Sequence, residues 1–282
     1  MLGLYYVAPT GSGGSVAGYK LANLDRAGFD SWLSIEAMKN SIDIHYNVGC
    51  LRIDSYRDAY ILVARLGDNA VKARVRYIVA ADGSSSPTRR YCYPGWTPYS
   101  IHVAQEYWRV EEIPGNYFYM MLLNPGITPV YGYVIPKDTD TCIIGVGVYP
   151  WQKRVIRRYL DYYKDWLRKY MGIRLVEKTR GDSGLIPFDK PATGKDNIVL
   201  VGDAAGLTNS FSGEGIRQAI ESGIIAAESI KIAEDHDRLL VEVYSSRIKN
   251  HLEIAEKSRS IIPGGREERE EFVEKELKRV YY

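Results

Sequence analysis

The chain has 282 residues, 45% hydrophobic and 26% charged, with a net charge of +2. That is room for two ordinary domains, or one large domain with an insertion, and it excludes collagen-like and disordered chains. Lys and Arg are spread along the sequence without a nucleic-acid footprint.

Residues 2–8 read as a short strand ended by Pro9, followed by the loop TGSGGSVAG and a second extended piece, YKLANLDR. Phe29, Leu33, Ala37 and Met38 then make a helical stripe. From Ile42 to Leu66 the pattern is strand-like, in the runs IDIHYN, CLRI and AYILVARL. VRYIVAADG is a short strand with apolar residues on both faces, the mark of a strand buried in a layered sheet. Residues 99–148 carry four strand-like runs, which predicts an antiparallel sheet inserted between two halves of another domain. Residues 151–170 predict an amphipathic helix, and NIVLVGDAAG a buried strand running into a glycine-rich turn. Ser212 to about Ala255 is helical in pattern, and the tail after PGGREERE is a charged helix or disordered.

Other classes of function are excluded by simple counts. Cys50, Cys92 and Cys142 lie far apart beside four histidines, so neither a metal cluster nor a disulfide framework is expected. The opening MLGLYYVAPTGSGG lacks the regions of a signal peptide, and no apolar run reaches the roughly 18 residues of a membrane span. A cytoplasmic location is expected. The scarcity of glutamine (Gln105, Gln152, Gln218) hints at a thermophilic source.

The glycines of GSGGSVAG invite a dinucleotide-binding reading. That fingerprint needs a third glycine three residues after the second, and counting from Gly11 and Gly13 the position is Val16. The next residues, YKLANLDR, alternate and carry no helical stripe, so the segment reads as a surface turn.

Two other motifs carry chemistry. In ADGSSSPTRR, Asp82 and Gly83 sit at a strand's carboxyl end, Ser86 is placed to cap a turn or helix starting at Pro87, and Arg89 brings positive charge within reach of a phosphate. NIVLVGDAAGLTNSFSGEGIRQAIESGIIAAESI is stronger. A buried strand delivers Gly202 and Asp203 at its tip, and Ala204, Ala205 and Gly206 let a ligand approach the backbone. Ser212 is the expected cap of a helix whose start, Gly213, Glu214 and Gly215, aims free amides at an anion or an electron-rich ring. Ile220, Gly223, Ile224, Ala227 and Ile230 are its expected packing face.

That stretch resembles the second flavin-binding motif of FAD-dependent oxidoreductases of the aromatic-hydroxylase fold. DGSSSPTR matches the middle motif, DGxxSxxR, at every fixed position. GDAAG followed by N-x-x-x-GEGI is especially similar to the geranylgeranyl reductase family, which often has Pro where this chain has Ser210. LDRAGFDSWL resembles that family's DRxxFDxxL segment, and GLIPFDKP the segment returning from the substrate sheet. YGYVIPK is similar to the reductase motif YxWxFPK, with Tyr133 for Trp and Ile135 for Phe. Without the family, it is an edge strand with aromatic residues on one face, ended by Pro.

The resemblance implies FAD as cofactor, with Arg26, Cys50, Asp82, Asp203, Gly213, Gly215 and Ile216 at its site. It implies a prenyl cavity lined by Tyr131, Tyr133, Ile135, Pro136 and Lys137. No residue stands out as a general acid, and no catalytic residue is assigned. The implied fold class is α/β: an incomplete Rossmann-like FAD-binding domain (1–90 and 191–235), an inserted antiparallel substrate domain (91–190) and a C-terminal helical segment (236–282). The GxGxxG unit that opens such flavoproteins is not among these residues, so the 282-residue chain is expected to retain FAD poorly, with another chain supplying the unit.

Three functions stand as expectations. The first is FAD-dependent reduction of isoprenoid double bonds in archaeal-type lipid biosynthesis, with an unidentified electron donor. The second is another flavin oxidation, such as monooxygenation, on the same fold. The third is a non-catalytic remnant or a subunit of a split flavoenzyme. The basic, aromatic helix at 151–170 has two readings: by default a helix packed on the sheet with a solvated face, or one lying on an anionic lipid surface.

Overall fold

Alternating apolar residues broken by Gly, Pro, Asn and Asp cut the first third of the chain into strands, and the computed structural model describes residues 1–11, 13–112, 115–260 and 264–272. In chain order come β1 (Leu2–Val7), β2 (Gly13–Leu21), α1 (Arg26–Lys39), β3 (Val48–Tyr56), β4 (Ala59–Leu66), β5 (Asn69–Val75), β6 (Ile78–Ala80) and α2 (Pro87–Cys92). Next are β7 (Ser100–Val110), β8 (Tyr117–Met121), β9 (Gly132–Pro136), β10 (Thr141–Val148), α3 (Ile156–Trp166) and β11 (Leu175–Pro187). The last are β12 (Gly194–Lys195), β13 (Ile198–Leu200), α4 (Gly202–Ala205), α5 (Ile216–Asp235), α6 (Leu240–Arg247), α7 (Lys249–Ser260) and α8 (Arg266–Phe272). The chain divides into two compact units: Met1–Asn23, Ser100–Ile186 and the C-terminal stretch with α8 in one, Leu24–Tyr99 and Pro187–Ser260 in the other.

The first unit is one large sheet in the order β11-β7-β10-β9-β8-β1-β2. β10 pairs antiparallel with β7 and β9, and β9 with β8, whereas β1 joins β8 in parallel. The period of two sends Val134, Ile144 and Val146 to one face, where Leu160, Tyr163 and Leu167 of the helical stretch 150–171 close a core. Each fully buried Leu or Val there contributes about 1.5–3 kcal/mol. Two expectations change. Residues 1–23 stand in this sheet and not with the cofactor domain, because β1 and β2 form a hairpin whose free side pairs with β8. YGYVIP is a central strand flanked on both sides, not an edge; Pro136 is tolerated because it ends the strand.

The second unit holds the antiparallel sheet β3-β4-β5 and the sheet β12-β13-β6, in which β13 and β6 run parallel. β13 is buried along its length and packs under α5 and α6 with Ala226, Ala233, Leu240, Val243 and Tyr244. Here local pattern misled in several places. β6 is an edge, with Val79 exposed between buried Ile78 and Ala80. IDIHYN forms no strand; β3 starts at Val48. α1 buries none of its residues, so its stripe faces outward. α5 packs through Gln218, Ser222, Ala226, Ser229 and Ala233, leaving Ile220 and Ile224 exposed. Helices α6 and α7 belong to this unit, since their apolar residues complete the β13 core.

Candidate functional site

In the second unit, β13 ends at Leu200 and the chain turns at once into α4. Gly202 makes this turn possible: its φ is +52°, and a Cβ there would stand 3.0 Å from the Ala219 methyl of α5. Asp203 comes next, half-buried, accepting a hydrogen bond from the Thr208 hydroxyl. Burial pushes the Asp203 carboxyl above its usual range, opposed by Thr208 and by the positive charge of Arg26. Arg26 is the first residue of α1 and also pairs with Asp30 at 3.1 Å.

The loop from Asn209 to Gly215 is folded by Asn209, a residue passed over in the sequence. Its side-chain oxygen accepts from the amides of Phe211 and Ser212, both at 3.1 Å, and its carbonyl from Gly213 N at 2.8 Å. Ser212 does not cap α5, because its hydroxyl accepts from Glu214 N at 3.3 Å while Gly215 occupies the cap position. Two of the amides expected to be free are thus used inside the loop, and those of Gly215 and Ile216 remain without a partner among the described residues. A Cβ on Gly215 would lie 3.0 Å from Thr208 Oγ1 and 3.2 Å from Asp203 Oδ1, so glycine keeps this cradle open. One turn into α5, Gln218 is 2% exposed, and both ends of its amide lack a partner among the described residues. Ser210, buried, donates to the Pro187 carbonyl at 3.1 Å.

The other strand-end motif is built by Asp82, which accepts from Ser86 Oγ and, at 3.0 Å, from Thr88 N. Ser86 in turn accepts from Arg89 N at 2.8 Å as the cap of α2. Arg89 offers no charge to a phosphate. It is 4% exposed, donates to the carbonyls of Ala204 and Lys190, and lies 4.6 Å over the Trp96 ring. It is a strut from α2 to α4. A cavity of about 190 Å³ lies between Cys50, Leu51, Arg52 and Ile53 of β3 and Pro87, Thr88 and Tyr91 of α2. Burial, then the charge of Asp82, push the Cys50 thiol up, so it is not a reactive thiolate. The structure thus forms two groups within this unit, Arg26–Asp203–Gly215 and Cys50–Asp82. Gly213 shapes the loop between Asn209 and Gly215.

In the first unit, Tyr133 and Ile135 point to the face of β9 opposite the α3 core, and Tyr131 precedes them. Tyr133 stacks on Phe118 (6.2 Å, 14°), lies 6.1 Å from the Tyr131 ring, and donates to Gln105 Oε1 at 2.6 Å. Burial pushes both phenols far up, so they stay neutral. Gly145 of β10, in register with Tyr133, leaves room for the ring; a Cβ there would fall 2.1 Å from it. At the strand's end Asn23 closes a clasp, donating to the Pro136 carbonyl at 2.7 Å and accepting from Lys137 Nζ at 2.6 Å. Gln105, Phe118 and Asn23 were not singled out in the sequence; only the register of β7, β8 and β9 brings them to YGYVIPK.

No family model matches the chain. Protein CbrA of Escherichia coli O157:H7 is 30% identical over 205 residues, 72% of this chain and 56% of that protein. The chain therefore spans little more than half the length of such curated relatives. Among solved structures, a geranylgeranyl bacteriochlorophyll reductase-like protein of Thermoplasma acidophilum aligns with 99% of this chain and 81% of its own, at 20% identity and TM-score 0.78. The flavin-dependent halogenase CmlS aligns with 92% of this chain and 51% of its own, at 19% identity and TM-score 0.71. These likenesses span nearly the whole chain, and its mixed α/β fold is that of the flavin-dependent oxidoreductases.

Proposed function

We propose that the chain is the larger part of an FAD-dependent oxidoreductase that reduces isoprenoid double bonds. The carrying observation is the cradle at Asp203, Thr208 and Gly215, with two unpartnered amides and the orphaned Gln218 amide beside it. Such a site suits a neutral, hydrogen-bonding ring edge joined to a hydroxylated chain, which is what a flavin presents. Arg26, Asp203, Gly213, Gly215 and Ile216 would hold that end, and Cys50 and Asp82 would border the adenosine end. When bound and reduced, FAD supplies a hydride; the chain's own share is binding, orientation and exclusion of water.

Tyr131, Tyr133, Ile135 and Pro136, with Phe118, would form the wall for a prenyl chain, and Lys137, held by Asn23, would mark its polar end. The aromatic wall supports prenyl reduction over oxygen insertion. The pyrophosphate grip that the reading requires lies outside these residues. β6, which pairs with β13 alone among the described strands, is where a strand of that unit would add.

The test is FAD titration of the 282-residue chain, followed by desalting. Saturable binding that is lost on desalting is expected, and Asp203→Ala should weaken it by about tenfold or more, the worth of one or two buried hydrogen bonds. Absence of saturable binding, or an unaffected Asp203→Ala, rejects the flavin assignment. With excess FAD, dithionite-reduced protein should saturate a geranylgeranyl lipid anaerobically; oxygen-dependent hydroxylation in its place would reject prenyl reduction and keep the flavin.

A further inference from the structure

The stretch from Pro150 to Met171 is one helical ridge of the first unit, a 3₁₀ turn leading into α3 and a π turn closing it at Gly172. At 1.5 Å per residue it is roughly 30 Å long. Its apolar stripe is not available to a membrane, since Leu160, Tyr163 and Leu167 are fully or almost fully buried in the sheet's core. What remains outside is unusual for a merely solvated face. Lys153, Arg154, Arg157, Arg158, Arg168 and Lys169 are all exposed, and the ridge holds seven Lys and Arg against two Asp, a net +5 where the whole chain is +2. Both acids are engaged, Asp161 with Lys164 and Asp165 with Arg168, each at 2.9 Å.

Among these cations stand large apolar side chains that make no core. Trp151 at one end is 69% exposed and stacks on Tyr149; Tyr170 at the other is 61% exposed under Lys169; Tyr162 and Val155 lie between. Arg158 lies 5.2 Å over the Tyr162 ring, so cation and aromatic are presented together.

We propose that this ridge docks the protein on an anionic lipid bilayer. A bilayer with acidic headgroups attracts clustered Lys and Arg, and its interface is where Trp and Tyr, apolar in body and polar at the tip, are most stable. A polyanion such as duplex DNA would use the charges and leave Trp151 and Tyr170 without a role. This surface goes beyond the flavin reading and stands whether or not flavin binds.

Co-sedimentation of the 282-residue chain with vesicles tests it. Binding to phosphatidylcholine vesicles containing about one-third phosphatidylglycerol should exceed binding to pure phosphatidylcholine by at least about tenfold and be released near 0.5 M salt. The exposed triple change Arg154→Glu, Arg157→Glu, Arg158→Glu should cut vesicle binding by about tenfold or more with an unchanged circular dichroism spectrum. Trp151→Ala, which leaves every charge in place, should cut it about threefold. Equal binding to both vesicles, or an unaffected triple variant, overturns the proposal. So does duplex DNA displacing the vesicles while Trp151→Ala binds like the parent.

Discussion

Glu106 in β7 accepts from Lys178 Nζ at 2.6 Å, from Lys164 Nζ at 2.9 Å and from Trp108 Nε1 at 2.9 Å. Burial alone would raise its carboxyl; the bonds from Lys178, Lys164 and Trp108 outweigh it and hold the group below its usual range. A lowered carboxylate stabilises the fold above its unfolded pKa, and the benefit is lost as pH falls through the folded one. Glu106→Gln should therefore cost about 2 kcal/mol at pH 7, and the gap should close below about pH 4, read by urea unfolding. A gap independent of pH would contradict this. Asp203 has the opposite sign. Burial raises it, so its ionisation costs stability as pH rises past its unfolded value. Asp203→Asn should gain about 1 kcal/mol at pH 7, and nothing at pH 3, while weakening FAD; a loss of stability would show that the carboxylate is structural.

Elements were legible in outline and less so in their faces. The strands of the inserted sheet and the helix at 151–170 stand where their periods put them, because alternation and a 3.6-residue stripe are properties of local sequence. α5 was assigned its packing face by hydrophobicity, yet it lies on α4 and β13 through Ser222, Ala226 and Ser229, since small residues allow the close approach that Ile220 and Ile224 would block. Strand position was equally hidden: β9 shows the same residues whether it lies at an edge or between β8 and β10. The register that makes it central also pairs Tyr133 with Gly145. Gly145→Ala should cost about 1–3 kcal/mol and tilt the Tyr133 ring, visible in near-ultraviolet circular dichroism. An unchanged spectrum and stability would show that the sheet can give way there.

At the scale of the molecule, the chain passes between its two units several times, and single residues close distant parts of each. Arg269 of α8 is fully buried and donates to the carbonyls of Leu123 (2.7 Å), Thr128 (2.6 Å) and Pro129. Arg269→Met would leave these carbonyls without a donor, so a loss of about 3 kcal/mol in urea unfolding is expected; less than about 1 kcal/mol would mean that water replaces the guanidinium.

By itself, the sequence determined the strand-end motifs at Asp82 and Asp203, the glycines of their turns and the aromatic run at Tyr131, because each depends on a few consecutive residues and the backbone geometry they permit. Only the tertiary structure decided which residues those motifs meet. It turned Arg89 from a phosphate ligand into a strut, placed residues 1–23 in the large sheet and brought Asn23, Gln105 and Phe118 to the aromatic strand. Those outcomes rest on register and on which face is buried, and both are set by partners far away in the chain.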